Sequence, residues 1–211
     1  MDLLAILPLA VVMVAGPQII SAILLATSKD ARRNSLAFVA GVALAITLGT
    51  SVAYWLFSLV ETSARADSES TVGTVIDWLI IVLLLVLMVR VFARRKNTEP
   101  PKWMGRLQTA DARLSFRLGL LLFVVMPTDI ITMLTVGAYL ARRGDPWWNS
   151  LPFLLLTLLL AGLPLLILLL LGKRAQVLLP KLRDWMSTNS WIVSEAVIVF
   201  FLALTISNLG S

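Results

Sequence analysis

Six apolar stretches dominate this chain, at residues 3–27, 36–59, 72–92, 118–140, 151–171 and 191–209. Each is close to the roughly 20 residues that an α-helix needs to cross about 30 Å of hydrocarbon. They are continuously apolar and leucine-rich instead of alternating, which favours helices over a β-barrel. Inside lipid every backbone N–H and C=O must be paired within the spanning structure, and a helix does this unaided. The sequence therefore predicts an all-α polytopic membrane protein with six transmembrane helices. Composition agrees: of 211 residues, 59% are apolar and 14% charged, against about 45–50% and about 25% in a soluble domain.

Charge sets the expected orientation. Of 18 Lys and Arg, all but Arg65, Arg142 and Arg143 fall in one set of alternate loops. Positive charge collects on the cytoplasmic side, so both termini are expected outside a cell membrane crossed several times. The first stretch opens with Met1-Asp2, has no basic region before it, and is followed by Lys29, Arg32 and Arg33. It reads as a retained span and not as a cleaved signal. The net charge of +6 is then a topology signal, with membrane lipids as partners and no nucleic acid. Tyr54, Trp55, Trp78, Tyr139, Trp147 and Trp148 fall near outer span ends, and Trp103, Trp185 and Trp191 near inner ones, where amphipathic rings anchor helices. The sizeable soluble segment is the basic loop 93–117, broken at Glu99-Pro100-Pro101. Its second part, 103–116, reads equally as an amphipathic surface helix or as an ordinary connector.

The chain has no Cys and no His. That removes disulfides, thiolate nucleophiles, imidazole or sulfur metal sites and Ser-His-Asp triads. An intramembrane aspartyl protease needs two opposed carboxylates, and one residue, Asp129, sits deep in a span. No enzyme activity, no catalytic residue, no metal and no cofactor is expected.

The polar residues that remain in the spans are organised by an internal duplication. Gly16-Pro17-Gln18-Ile19-Ile20-Ser21 precedes a basic turn, Asn34-Ser35 and a second span; Met126-Pro127-Thr128-Asp129-Ile130-Ile131-Thr132 precedes another basic turn, Asn149-Ser150 and the fifth span. A single domain results, with repeat one at 1–92, the loop at 93–117 and repeat two at 118–211. Three spans per repeat is odd, so the second copy enters the membrane inverted, an arrangement found in many secondary transporters. Both prolines lie roughly 15–21 Å from the entry surface at 1.5 Å per residue, near the bilayer centre. Proline removes a backbone donor and clashes with the preceding turn, so helices 1 and 4 are expected to break there. Two half-helix N-termini with their positive dipole ends would then converge at an anion-friendly midplane. The candidate substrate-binding residues are Pro17, Gln18, Ser21, Pro127, Thr128, Asp129 and Thr132. Asp129 has two readings, a cap on the half-helix starting at Pro127 or a group that carries a proton or meets substrate.

Other features read as structural. Asp77 and Glu195 lie about one turn inside their spans and read as rim groups. Gly41, Ala45 and Gly49 repeat every fourth residue along the second span, a pattern for close helix packing, with a homodimer as a further partner that such a face permits. Gly162 and Pro164 are expected to interrupt the fifth span and supply a hinge.

With Leu7-Pro8-Leu9-Ala10, the Gly16-Pro17 break, the turn through Arg32-Arg33-Asn34 and Leu36-Ala37-Phe38-Val39-Ala40-Gly41, the chain resembles the peptidoglycolipid addressing protein family of the lysine exporter superfamily. The resemblance runs over nearly the whole chain, including Pro101 and Trp103 of the loop. It implies export or flipping of a lipid, glycolipid or amphiphilic small molecule by two inverted three-helix units. Relatives often place Asn-Pro-Lys at the fourth-span break, where this chain has Met126-Pro127-Thr128 followed by Asp129, so the midplane cation of those relatives is missing. Ion-coupled efflux of a small soluble solute, such as an amino acid or cation, and a non-transporting adaptor of an envelope-lipid export system are the alternatives.

Overall fold

A computed structural model describes residues 6–66 and 110–188. The expected third and sixth spans, Asp77, Glu195, Trp103 and most of the basic loop lie outside the described residues.

The regular structure among the described residues is helical: α1 Leu7–Val14, α2 Pro17–Ala26, α3 Ala31–Ala66, α4 Ala112–Val125, α5 Pro127–Arg143, α6 Leu151–Leu171 and α7 Ala175–Thr188, with short 3-10 turns at Trp147–Ser150 and Gly172–Arg174. Two helical stretches, Ala31–Thr62 and Trp147–Leu171, are long and apolar enough to cross a membrane, and there are up to four if α1–α2 and α4–α5 each count as one bent span.

Several boundaries differ from the sequence expectation. The fourth helix begins at Ala112 and not at 118, because the Asp111 carboxylate caps it by accepting from the Leu114 N–H at 2.8 Å. Residues 112–117 therefore belong to α4, basic side chains included, and neither a surface helix through 116 nor a connector describes them. The second helix runs over 36 residues, about 54 Å at 1.5 Å per residue, well beyond the apolar stretch that identifies it. The fifth is not interrupted: α6 continues through Gly162 and Pro164 to Leu171. A membrane helix can absorb a proline when its neighbours pack around the freed carbonyl, and Pro164 is buried. Residues 175–188, charged enough to read as loop, form α7, whose Ala175 and Leu179 pack with Ile23, Ala26 and Leu168.

The packing is reciprocal. The long helix α3 lies chiefly against α4 and α5, while α6 lies against α3, α1 and α2. Each long helix thus completes the other half's bent pair. Phe38, Phe123 and Phe153 are fully buried in the shared core with Met13, Leu25, Ile46 and Leu140. In lipid there is no hydrophobic gain from pressing leucine against leucine, so close backbone approach decides which faces meet. The Gly41–Ala45–Gly49 stripe does this within one chain. A Cβ on Gly41 would fall on the Phe116 carbonyl oxygen, one on Gly119 would fall on the Phe38 carbonyl oxygen, and one on Gly49 would meet the Met133 sulfur. Further along the seam, a Cβ on Gly137 would stand 2.6 Å from both the Ala53 Cβ and the Tyr54 backbone nitrogen.

Polar bonds pin the two ends of this seam. At one end Asn34 Nδ2 donates to Ser28 Oγ at 2.9 Å and to the Ala110 carbonyl at 2.8 Å. At the other, Tyr54 Oη donates to the Asp145 carbonyl and Trp147 Nε1 to Ser51 Oγ, both at 3.0 Å. Gly144, at φ 68°, closes α5 with Asp145 N–H bonding back to the Leu140 carbonyl, a glycine-dependent C-terminal motif.

Candidate functional site

Both breaks arise from an X-Pro step. The ring of a proline pushes the preceding residue out of helical backbone, and here Met126 adopts φ −70°, ψ 121°, ending α4 and starting α5 at Pro127. The first break takes two residues, extended Ala15 (φ −65°, ψ 129°) and then Gly16 at φ 115°, ψ −141°, before Pro17 opens α2. That second conformation is one only glycine adopts readily. The bends are 66° between α1 and α2 and 69° between α4 and α5.

The two breaks meet. Gln18 Nε2 donates to Asp129 Oδ2 at 2.7 Å across 111 residues of chain. Both side chains are buried, Gln18 at 2% exposure and Asp129 at 0%. Each lies in the first turn of its half-helix. Each also precedes an Ile-Ile pair and then a hydroxyl residue, Ser21 or Thr132. Those hydroxyls behave alike: Ser21 Oγ donates to the Pro17 carbonyl at 2.6 Å and Thr132 Oγ1 to the Thr128 carbonyl at 2.8 Å. Residues at matching places of the two segments therefore touch each other, as happens on a two-fold axis.

All seven expected site residues gather at these breaks. Gln18, Ser21, Asp129 and Thr132 are buried, Pro17 and Pro127 half-buried, and Thr128 exposed, with its hydroxyl 3.4 Å from Asp129 Oδ1. Asp129 is the acidic residue in the first turn of α5, and its carboxyl oxygens accept from Gln18 at 2.7 Å and Thr128 at 3.4 Å. Its charge still lies at the positive end of that helix, but its hydrogen bond goes to the other half of the molecule. Among the described residues no Lys or Arg pairs with it. The other end of the amide, Gln18 Oε1, is buried with no hydrogen-bond partner among the described residues, against the rule that buried polar atoms are satisfied. It sits beside the exposed Gly16, 3.4 Å from where a Cβ on that residue would stand. Gly16 is the site residue that sequence reasoning passes over; the signal for it is a glycine immediately before the helix-breaking proline.

Residues 6–210 match the family described as Sap, sulfolipid-1-addressing protein. The chain belongs to that family. No curated protein and no solved structure matches it. Membership in a lipid-addressing family and long apolar helices together make this a membrane protein of that family.

Proposed function

We propose that this protein moves the polar head of a lipid, glycolipid or similar amphiphile across the membrane past the Gln18–Asp129 pair, without chemically changing it. The observation that carries the reading is the 2.7 Å bond joining the two proline breaks. A buried carboxylate in a span is costly and normally faces a cavity or partner; here it faces the opposite repeat. The lipid-addressing family supports a lipid as cargo. The matched Gln-Ile-Ile-Ser and Asp-Ile-Ile-Thr segments, the near-equal bends and the reciprocal packing support two inverted units. On this reading the chain is a six-span cell-membrane protein with both termini outside, related to the peptidoglycolipid addressing proteins of the lysine exporter superfamily. It works with membrane lipids, as a monomer or homodimer, and is not an enzyme.

The test is movement of acyl-chain-labelled lipids between leaflets in proteoliposomes. Gln18→Ala and Asp129→Asn should each slow movement by about tenfold or more, the size of one lost charge-assisted hydrogen bond. Wild-type rates in both would sink the site assignment. The burial of Gln18, Ser21, Asp129 and Thr132 favours a second reading, a non-transporting adaptor of an export system. That role predicts silence at the breaks and loss of export on changing the 93–117 loop.

A further inference from the structure

The site at the breaks offers acceptors far more than donors. Among the described residues Asp129 Oδ1 has only the long 3.4 Å contact from Thr128. Gln18 Oε1 is buried and unpartnered. A carboxylate only accepts, so the amide must turn Nε2 toward it and leave its oxygen facing away. The Ser21 and Thr132 hydroxyls have given their protons to backbone carbonyls, which leaves them lone pairs alone. Against these stand the second N–H of Gln18 Nε2 and the free backbone N–H groups of the two helix starts, which by themselves favour an anion. Asp129 places an acidic group in the first turn of α5, and among the described residues no Lys or Arg pairs with it. Whenever that carboxyl is ionised, an anion there meets repulsion in a medium that screens poorly.

We propose that the group recognised at the breaks is a hydrogen-bond donor, a hydroxyl or ammonium accepted by Gln18 Oε1 on the far side of the amide that binds Asp129, and not the anionic part of a headgroup. This rests on the proposed passage of headgroups through the site. A donor would approach at Gly16, which is exposed and whose missing side chain leaves Gln18 Oε1 beside it. The unpartnered oxygen is the vacancy a donor would fill.

The experiment is retention of lipid by the full-length protein, read by native mass spectrometry, using pairs that differ only in donors. Phosphatidylethanolamine is set against phosphatidylcholine, its N-trimethyl counterpart. Glucosyl diacylglycerol is set against its per-O-methyl ether. The donor-bearing member of each pair should be retained at least about fivefold better, the worth of one net hydrogen bond. Gln18→Met and Asp129→Asn, each checked for an unchanged melting transition, should bring that ratio towards one. Free ethanolamine and glucose compete only if the donor comes from a soluble solute; competition equal to that of the lipids supports the donor chemistry and assigns it that source. Equal retention within both pairs, or best retention of phosphatidylmethanol, an anionic lipid without a donor, overturns the inference. Leaflet-to-leaflet movement is measured on the same samples. Preference without movement overturns the proposed transport and leaves the donor site standing, and movement without preference does the reverse.

Discussion

The two halves of the described structure reach nearly the same bend by different means. The second half needs one extended residue, Met126, before Pro127; the first needs two, and the second of these is Gly16 at φ 115°. Their packing differs as well. The seam of α3 against α4 and α5 is glycine to backbone at Gly41 and Gly119. On α6 the glycine meets a side chain instead: a Cβ on Gly162 would stand 3.8 Å from Val39 of α3. A common architecture thus tolerates unequal chemistry, and the chemistry is most unequal where an amide in one half meets a carboxylate in the other.

Substitutions can break this comparison, beginning where the effect is greatest. Gly41→Val or Gly119→Val should destabilise by about 3 kcal/mol, because backbone cannot yield as a flexible side chain does; thermal unfolding in detergent checks it, and a small effect would mean that the two seams are alike. Gly16→Ala should cost about 2 kcal/mol by the same measurement, since alanine resists that backbone conformation. Met126→Leu, its counterpart, should stay within about 0.5 kcal/mol. A double-mutant cycle of Gln18→Ala and Asp129→Ala should return a coupling of about 1.5 kcal/mol. The exchange Gln18→Asp with Asp129→Gln should recover most of what either single exchange loses, and failure to do so would show that the halves are not interchangeable at their meeting point. The smallest effect belongs to Gly162→Ala, within about 0.5 kcal/mol and tending to stabilise, because a Cβ there makes ordinary contact with Val39 and alanine is the better helix former.

Much of this could be read from residue pattern. The breaks at Pro17 and Pro127, the glycine stripe and the α6 limits at 151–171 follow from local sterics and hydropathy, which the chain spells out over a few residues. The ends of α3 and α4 do not, because hydropathy marks where lipid begins, and a helix continues into water wherever a cap such as Asp111 or a polar turn supports it. α7 escaped for the same reason: Ala175 and Leu179, buried among its described side chains, stand in a segment rich in charged and polar groups. The site residues were nameable singly, but the Gln18–Asp129 bond was not. Its partners are 111 residues apart, and only the repeat register, with both placed before Ile-Ile, hints that they share a position. Pro164 misled because its cost depends on tertiary neighbours.

Reciprocal packing also bears on how such a chain comes together. The glycine face of α3 has its matching backbone in α4, and the flank of α6 has its match in α1 and α2. Among the described residues each long helix finds its main surface in the other half, so each serves as the template for the other. Fragments 1–92 and 93–211 should be degraded when made alone and persist when made together, found in one complex after purification through a tag on either piece. The fold is then a partnership of two incomplete pieces that the linking chain keeps at high local concentration.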